Sequence, residues 1–274
     1  MTTGMDWQGD VGRTWADQYR LTDRSFAGLT QILLDRIAAL PGDVVLDVGC
    51  GAGELALAVA RVRPRARVLG IDVSAALVAA ANARAGHHAN ASFAIADAAD
   101  WRDPAFVPDL VLSRHGVMFF ADPVAAFANL RAACAPGVRL LFSCFRSPAE
   151  NRWVPDLRQL FPDDPPPAPP EPGAAGPFAF DDPERVARLL RAAGWHDLTF
   201  DPIDFAYVAG AGPDAVNEAA TYFSRIGPAA AAMRDHPPED RARAAIRLRG
   251  WIDEHAVDGL VAFPAAAWIV GARG

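Results

Sequence analysis

The stretch that most constrains the fold is Val44-Val45-Leu46-Asp47-Val48-Gly49-Cys50-Gly51-Ala52-Gly53-Glu54. A short, nearly unbroken apolar run bounded by turn residues reads as a strand buried on both faces. It passes without a spacer into a glycine-rich turn, and the turn passes directly into a helical pattern. Glycines let the backbone take left-handed angles and let a ligand come within van der Waals distance. The helix start that follows offers backbone amides with no partner inside the helix. A strand, a glycine turn and a helix in this order are the opening unit of a crossover fold.

The alternation continues downstream. Arg67–Ile71 reads as a second strand, Ala75–Ala85 as a helix, Ser92–Ala96 and Asp109–Ser113 as strands, Val124–Ala135 as a helix and Arg139–Phe145 as a fifth strand. Strands alternating with helices of this length predict a mostly parallel sheet covered on both faces. Upstream, Phe26, Leu29, Ile32, Leu33, Ile37 and Leu40 recur with a helical period, so one packing helix is expected there, ended by Pro41-Gly42. Downstream, Phe161 to Pro177 holds eight of the 23 prolines and is expected to be a stiff, extended loop. Regular structure resumes with a helix over Pro183–Ala193 and a strand over Leu198–Val208. Two helices, Ala215–Ile226 and Pro238–Glu254, then interrupt what would be a strand hairpin closed by Val261–Val270.

Composition narrows the classes of function. The 274 residues carry 26 basic and 33 acidic side chains, a net charge of −7, which argues against a nucleic-acid binder working through a broad cationic face. All 26 basic residues are arginine, so lysine Schiff bases and lysine general bases are excluded. Cys50, Cys134 and Cys144 show no metal-like spacing and fit a reducing compartment. The segment Met1–Arg20 has no apolar core of the kind a signal peptide needs, and Gly259–Ala272 is too short to span a bilayer. A soluble, cytoplasmic protein is expected.

Two ligand classes use a strand, glycine turn and helix. A dinucleotide site follows G-x-G-x-x-G, with the pyrophosphate at the helix start. Here the spacing is G-x-G-x-G, Glu54 takes the place of the third dinucleotide glycine, and Asp47 sits at the strand end. An acidic loop suits a ligand with a cationic head better than an anion, which favours a sulfonium amino acid. Asp72 closes the second strand, where an acid can accept from ribose hydroxyls, and Asp97-Ala98 follows the third, where a carboxylate can accept from an adenine amino group. Three such acids at successive strand ends lie on the edge where open sheets bind ligands.

In order and spacing, LDVGCGAG, GIDVS, AIADAAD, DLVLSRHGVMFF and LRAACAPGVRLLF resemble the motifs of class I S-adenosylmethionine-dependent methyltransferases, in the small-molecule branch related to quinone-biosynthesis C-methyltransferases. The resemblance is firm over residues 43–145. It implies a Rossmann-like α/β fold with a seven-stranded, mostly parallel sheet, an antiparallel last strand and a helical cap. The implied division is an N-terminal helical lid over 1–42, a cofactor-binding domain over 43–210 and 257–274, and a cap over 211–256. Gly49, Cys50, Gly51 and Gly53 would lie against the methionine part of S-adenosylmethionine, with Asp47 near its amino group. Asp72 would hold the ribose, Val73 would lie on the adenine ring, Asp97 and Ala98 at its edge, and Ser113 and Arg114 would give backbone contacts. S-adenosylhomocysteine would be the product, and the methyl acceptor would be a small molecule modified at O, N or C.

On the acceptor side, His115 follows the fourth strand and is the best-placed general base, since an imidazole titrates near neutrality. A loop histidine that only packs against a ligand is the alternative reading. Met118, Phe119 and Phe120 are candidate pocket walls, as is Trp153 before the proline run. Trp15 and Tyr19, four residues apart, would share one helical face in the lid. Arg61, Arg63, Arg65 and Arg67 read as a solvated helix end, and no histidine has a companion at metal-ligand spacing. An NAD(P)-dependent oxidoreductase and a non-catalytic S-adenosylmethionine binder are the competing readings.

Overall fold

The structure, a computed structural model, describes residues 4–151, 153–154, 157–162, 164, 171 and 173–274. Its centre is a sheet built from β1 (Val44–Val48), β2 (Arg67–Asp72), β3 (Ala91–Ile95), β4 (Leu110–Arg114), β5 (Arg139–Phe145), β6 (His196–Ala211), the two-residue β7 (Ala256–Val257) and β8 (Leu260–Arg273). The strands lie in the order β3-β2-β1-β4-β5-β8-β6, with β7 paired to β8. The pairs β1/β2, β2/β3, β1/β4 and β4/β5 are parallel, and β8 runs antiparallel to both its neighbours. The expected seven strands and the antiparallel last one are therefore present, and the short β7 is an addition.

Among the described residues four helices precede the sheet: α1 (Gly4–Gln8), α2 (Asp10–Asp17), α3 (Tyr19–Ser25) and α4 (Ala27–Ala38). The single expected helix corresponds to α4, whose Leu29, Leu33 and Ile37 are buried. The other three are only five to eight residues long, too short for a periodicity reading to find. The chain breaks at Gln18, so Trp15 and Tyr19 belong to different helices and do not share one face. At Gly12 a Cβ would stand 2.2 Å from the Ser74 hydroxyl, so only glycine lets α2 lie this close to the chain after β2.

The crossovers α5 (Glu54–Val62), α6 (Ala75–Arg84) and α7 (Pro123–Ala133) fall where the sequence puts them. Each start has a local cause. Gly53 leads into α5 with φ 83°, the Ser74 hydroxyl accepts from the Leu77 amide at 3.4 Å, and Asp122 accepts from the Ala125 amide at 3.0 Å. After the four-residue α8 (Leu157–Leu160), α9 (Pro183–Ala192) begins on Asp182 with proline in its first turn. The expected proline-rich loop 161–177 lies in large part outside the described residues.

Between β6 and β7 come α10 (Ala215–Arg225), α11 (Pro228–Arg234) and α12 (Pro238–Glu254), three helices where two were expected. β6 and β8 are longer than their apolar stretches suggest. Their pairing runs from His196/Arg273 to Ala211/Leu260, and the polar His196–Asp201 end is held by the ladder rather than by burial. Arg63 is also a correction. Its guanidinium donates to the carbonyls of Ile37, Leu40 and Gly42, so it closes the end of α4 instead of standing in solvent.

Candidate functional site

One cavity, of about 380 Å³, opens at the carboxyl ends of β1, β2 and β4. The strand order reverses across β1 and β4, and open parallel sheets bind ligands in the crevice at such a point. Helices α1 to α3 cover it from one side, and Ile226, Gly227 and Pro228, between α10 and α11, reach it from the other.

The floor is the turn after β1. Gly49 takes φ 64°, and a Cβ there would lie 2.8 Å from the Gly116 Cα, so the turn can press against the loop after β4 only with hydrogen in that place. The space a Cβ of Gly51 would fill is open, which makes this part of the turn a cradle. Asp47 beneath it is 1% exposed. Its Oδ2 accepts from the Ala56 amide at 3.1 Å, while Oδ1 is buried without a hydrogen-bond partner among the described residues. Burial pushes this carboxyl up to about 7, against the opposing pull of Arg114 and the Ala56 amide.

Asp72 also lines the cavity. Its Oδ2 accepts from the Gly51 amide and its Oδ1 from the Ser74 amide, each at 2.9 Å, so it fastens the glycine turn to the start of α6. Burial raises its pKa, and those amides work in the other direction. Val73, Asp97 and Ala98 stand further along the same wall. Asp97 is exposed and its Oδ1 accepts from the Ala99 amide at 2.9 Å, a turn-forming bond that leaves Oδ2 open. Cys50 is buried, and burial drives its thiol well above the ordinary range, so it packs and does not react. Gly53 and Ser113 do not line the cavity. Gly53 backs onto the Phe93 ring, and the Ser113 hydroxyl donates to the Val48 carbonyl at 2.7 Å, joining β4 to β1.

Arg114 holds the charged heart of the site. Its guanidinium pairs with Glu54, donates to the Thr30 hydroxyl at 2.8 Å and lies 3.9 Å from Asp23 on α3. Asp23 is bonded in turn by Arg84 at 2.7 Å, and Arg84 also donates to the Ala52 carbonyl. The network fastens the covering helix α3 to β4, α5 and α6. It also corrects one inference from sequence. Glu54 is paired with Arg114 and is not among the residues lining the cavity, so it would not repel an anion there. The acidity of the floor comes from Asp47.

His115 stands with φ 62° at the end of β4. Its Nδ1 is 2.8 Å from the Ser143 hydroxyl, and its ring meets Phe145 edge-on at 4.1 Å. Nε2 is buried and has no partner among the described residues. Burial and the nearby Arg114 lower its pKa to about 3, so the expected titration near neutrality is absent and the ring is neutral at physiological pH. Such an imidazole is a weak proton acceptor and serves as a hydrogen-bonding group.

Met118, Phe119, Phe120, Trp15, Tyr19 and Trp153 all line the cavity. The sequence reading missed Trp7, Phe26, Phe145 and Tyr207. Tyr207 stacks on Trp153 at 4.8 Å, and Trp7 meets Trp15 and Phe119 edge-on at 5.2 and 5.1 Å. Two of these are legible only as strand residues, since nothing local says that Phe145 and Tyr207 face a cavity.

Residues 45–137 match the family described as a methyltransferase domain. A trans-aconitate 2-methyltransferase from Methylobacterium radiotolerans is 31% identical over 171 residues, 61% of this chain and 59% of that protein. The chain spans 39% to 59% of the length of the curated relatives it matches. Among solved structures, a Haemonchus contortus phosphoethanolamine N-methyltransferase 2 in complex with S-adenosyl-L-methionine superposes with a TM-score of 0.59 at 14% identity, covering 99% of this chain and 60% of that one. The [4+2]-cyclase SpnF superposes with a TM-score of 0.56 at 20% identity, covering 98% and 96%. Strand order, glycine turn and acid positions agree with the match of residues 45–137 to a methyltransferase domain.

Proposed function

We propose that the protein transfers the methyl group of S-adenosylmethionine to a small-molecule acceptor. One observation carries this reading: Asp47 Oδ1, buried at the cavity floor beside the open cradle of Gly51, has no partner among the described residues. An orphaned carboxylate oxygen in that place calls for a cationic ligand group, and an α-ammonium fits it. A pyrophosphate would meet that carboxylate unfavourably, which counts against a dinucleotide.

S-adenosylmethionine, when bound, supplies an electrophilic methyl on a positively charged sulfur. Asp47 would hold its ammonium, and Gly49, Cys50 and Gly51 would pack along its amino-acid part. Asp72 keeps acceptor capacity for ribose hydroxyls beyond its two amide bonds, and Val73, Asp97 and Ala98 would flank the base. Displacement at a sulfonium depends chiefly on alignment, which can supply ~7–11 kcal/mol of barrier lowering. The cationic donor needs no acid at the leaving group, and a neutral His115 is consistent with that.

The test is calorimetry with S-adenosylhomocysteine and with NAD(P), followed by Asp72→Ala. Tight binding of the first and none of the second is expected. The variant should lose ~2–4 kcal/mol of affinity, the worth of two hydrogen bonds to a charged acceptor. An unchanged dissociation constant in a folded variant would remove the ribose assignment, and binding of NAD(P) alone would favour the oxidoreductase reading.

A further inference from the structure

Resting on the methyltransferase reading, we propose that the acceptor is a flat, uncharged, apolar molecule with an oxygen that accepts a hydrogen bond from a fixed Nε2–H of His115, and that it is not a polycarboxylate such as trans-aconitate.

Shape comes first. Beyond the glycine turn the wall is made by Phe26, Phe145, Trp153, Tyr207, Trp7 and Phe119. Trp153 and Tyr207 are nearly parallel, at 16°, with Phe145 5.2 Å from Trp153. Rings held in this way present faces and edges to a planar guest.

Charge comes next. The lining holds the carboxyls of Asp23, Asp47, Asp72, Asp97 and Asp122 against the one guanidinium of Arg114 among the described residues. That guanidinium is already given to Glu54, Thr30 and Asp23. The three carboxylates of trans-aconitate would lose water without gaining a free cation, and burying unpaired charge is costly.

The third element is a single polar contact. Among the described residues the Ser143 hydroxyl has one side-chain partner, His115 Nδ1 at 2.8 Å. Its proton has nowhere else to go, so the hydroxyl donates to Nδ1 and the ring proton sits on Nε2. His115 lines the cavity, and its Nε2 is buried behind that wall with no partner among the described residues. The low basicity of this ring agrees with a neutral tautomer over the whole physiological range. A buried N–H without a partner is unfavourable, and an acceptor oxygen would relieve it.

The experiment uses the full chain saturated with S-adenosylhomocysteine and three calorimetric probes: 2-acetylnaphthalene, its oxygen-free counterpart 2-ethylnaphthalene, and trans-aconitate. 2-Acetylnaphthalene should bind about fivefold tighter than 2-ethylnaphthalene, the worth of one net hydrogen bond, and trans-aconitate should be the weakest of the three. In His115→Phe the preference for the acetyl compound should vanish while 2-ethylnaphthalene still binds. Nitrogen-15 NMR of the unsubstituted protein gives a readout independent of any variant and should show His115 protonated on Nε2. A proton on Nδ1, equal binding of the two naphthalenes, or tighter binding of trans-aconitate would each overturn the proposal. Failure of S-adenosylhomocysteine to bind would count against the methyltransferase reading instead, and titrating the same probes into the unloaded chain would still decide the acceptor class.

Discussion

Replacing Asp47 by asparagine separates the cost of this carboxyl from its use. Burial lifts its pKa from 3.8 to about 7. Each pH unit corresponds to ~1.4 kcal/mol, so ionising Asp47 costs the unliganded fold on the order of 4 kcal/mol. Between pH 4 and 7 the folded chain keeps a proton on Asp47 that the unfolded chain has released. The stability gained in this way is complete below about pH 4 and is lost as pH rises through about 7. Asparagine has no such dependence, so Asp47→Asn should gain roughly 2–3 kcal/mol relative to the parent between pH 5 and pH 8. Binding should move in the opposite sense. The ionised fraction rises from ~1% at pH 5 to about half at pH 7, so affinity for an ammonium ligand should increase roughly 50-fold across that interval. Calorimetry at pH 6 in two buffers of different ionisation enthalpy should count about one proton released per S-adenosylhomocysteine bound, and almost none for Asp47→Asn. Asp72 and Asp23, the other raised carboxyls lining the cavity, are common to both proteins, so the difference isolates Asp47. A stability gap that does not widen with pH, or equal proton release by the two proteins, would mean that Asp47 is not the titrating group.

Two further perturbations test the frame of the site. Arg114→Met leaves Glu54, less than one-fifth exposed, without its cation, and Asp23 with Arg84 alone. Urea unfolding should show a loss of about 3 kcal/mol, partly restored by adding Glu54→Gln; undiminished stability would mean the network is not a fastening. Gly49→Ala forces a Cβ to 2.8 Å from Gly116 at φ 64° and should cost roughly 2–3 kcal/mol in stability. Gly51→Ala meets no protein atom within 4 Å, so its larger effect should fall on S-adenosylhomocysteine affinity; the reverse pattern would misplace the cradle.

The order of strands and helices from β1 to β5 was legible because buried parallel strands are continuous apolar runs and each crossover helix has its own start signal. The acids at strand ends were legible for the same reason, since their position follows from the strand. What the sequence hid was long-range. That Arg114 would turn its side chain to Glu54 and Asp23 depends on α3 and α5 meeting over β4, 91 and 60 residues away from it in the sequence for Asp23 and Glu54 respectively. Phe26 and Tyr207 become cavity walls only once α3, α4 and β6 pack together. His115 looked like a titrating loop residue because no local feature signals its burial between Phe26 and Phe145. Arg63 failed in the same way, its partners being the end of another helix.

Unsatisfied polar groups concentrate at one place in the fold. Among the described residues six buried side-chain atoms lack a hydrogen-bond partner, and four of them, on Trp7, Thr22, Asp47 and His115, belong to residues lining one cavity. A folded chain satisfies nearly all its buried polar atoms, so a cluster of exceptions marks where a ligand completes the structure. The cluster is chemically divided. Asp47 offers an anionic oxygen at the floor, whereas Trp7 Nε1 and His115 Nε2 are neutral groups on a covering helix and the far wall, and Thr22 Oγ1 is within reach of the Tyr222 hydroxyl. One charged contact for a cationic donor and neutral contacts for an uncharged acceptor suit the union of a sulfonium with an apolar partner, and leave no room for a second anion.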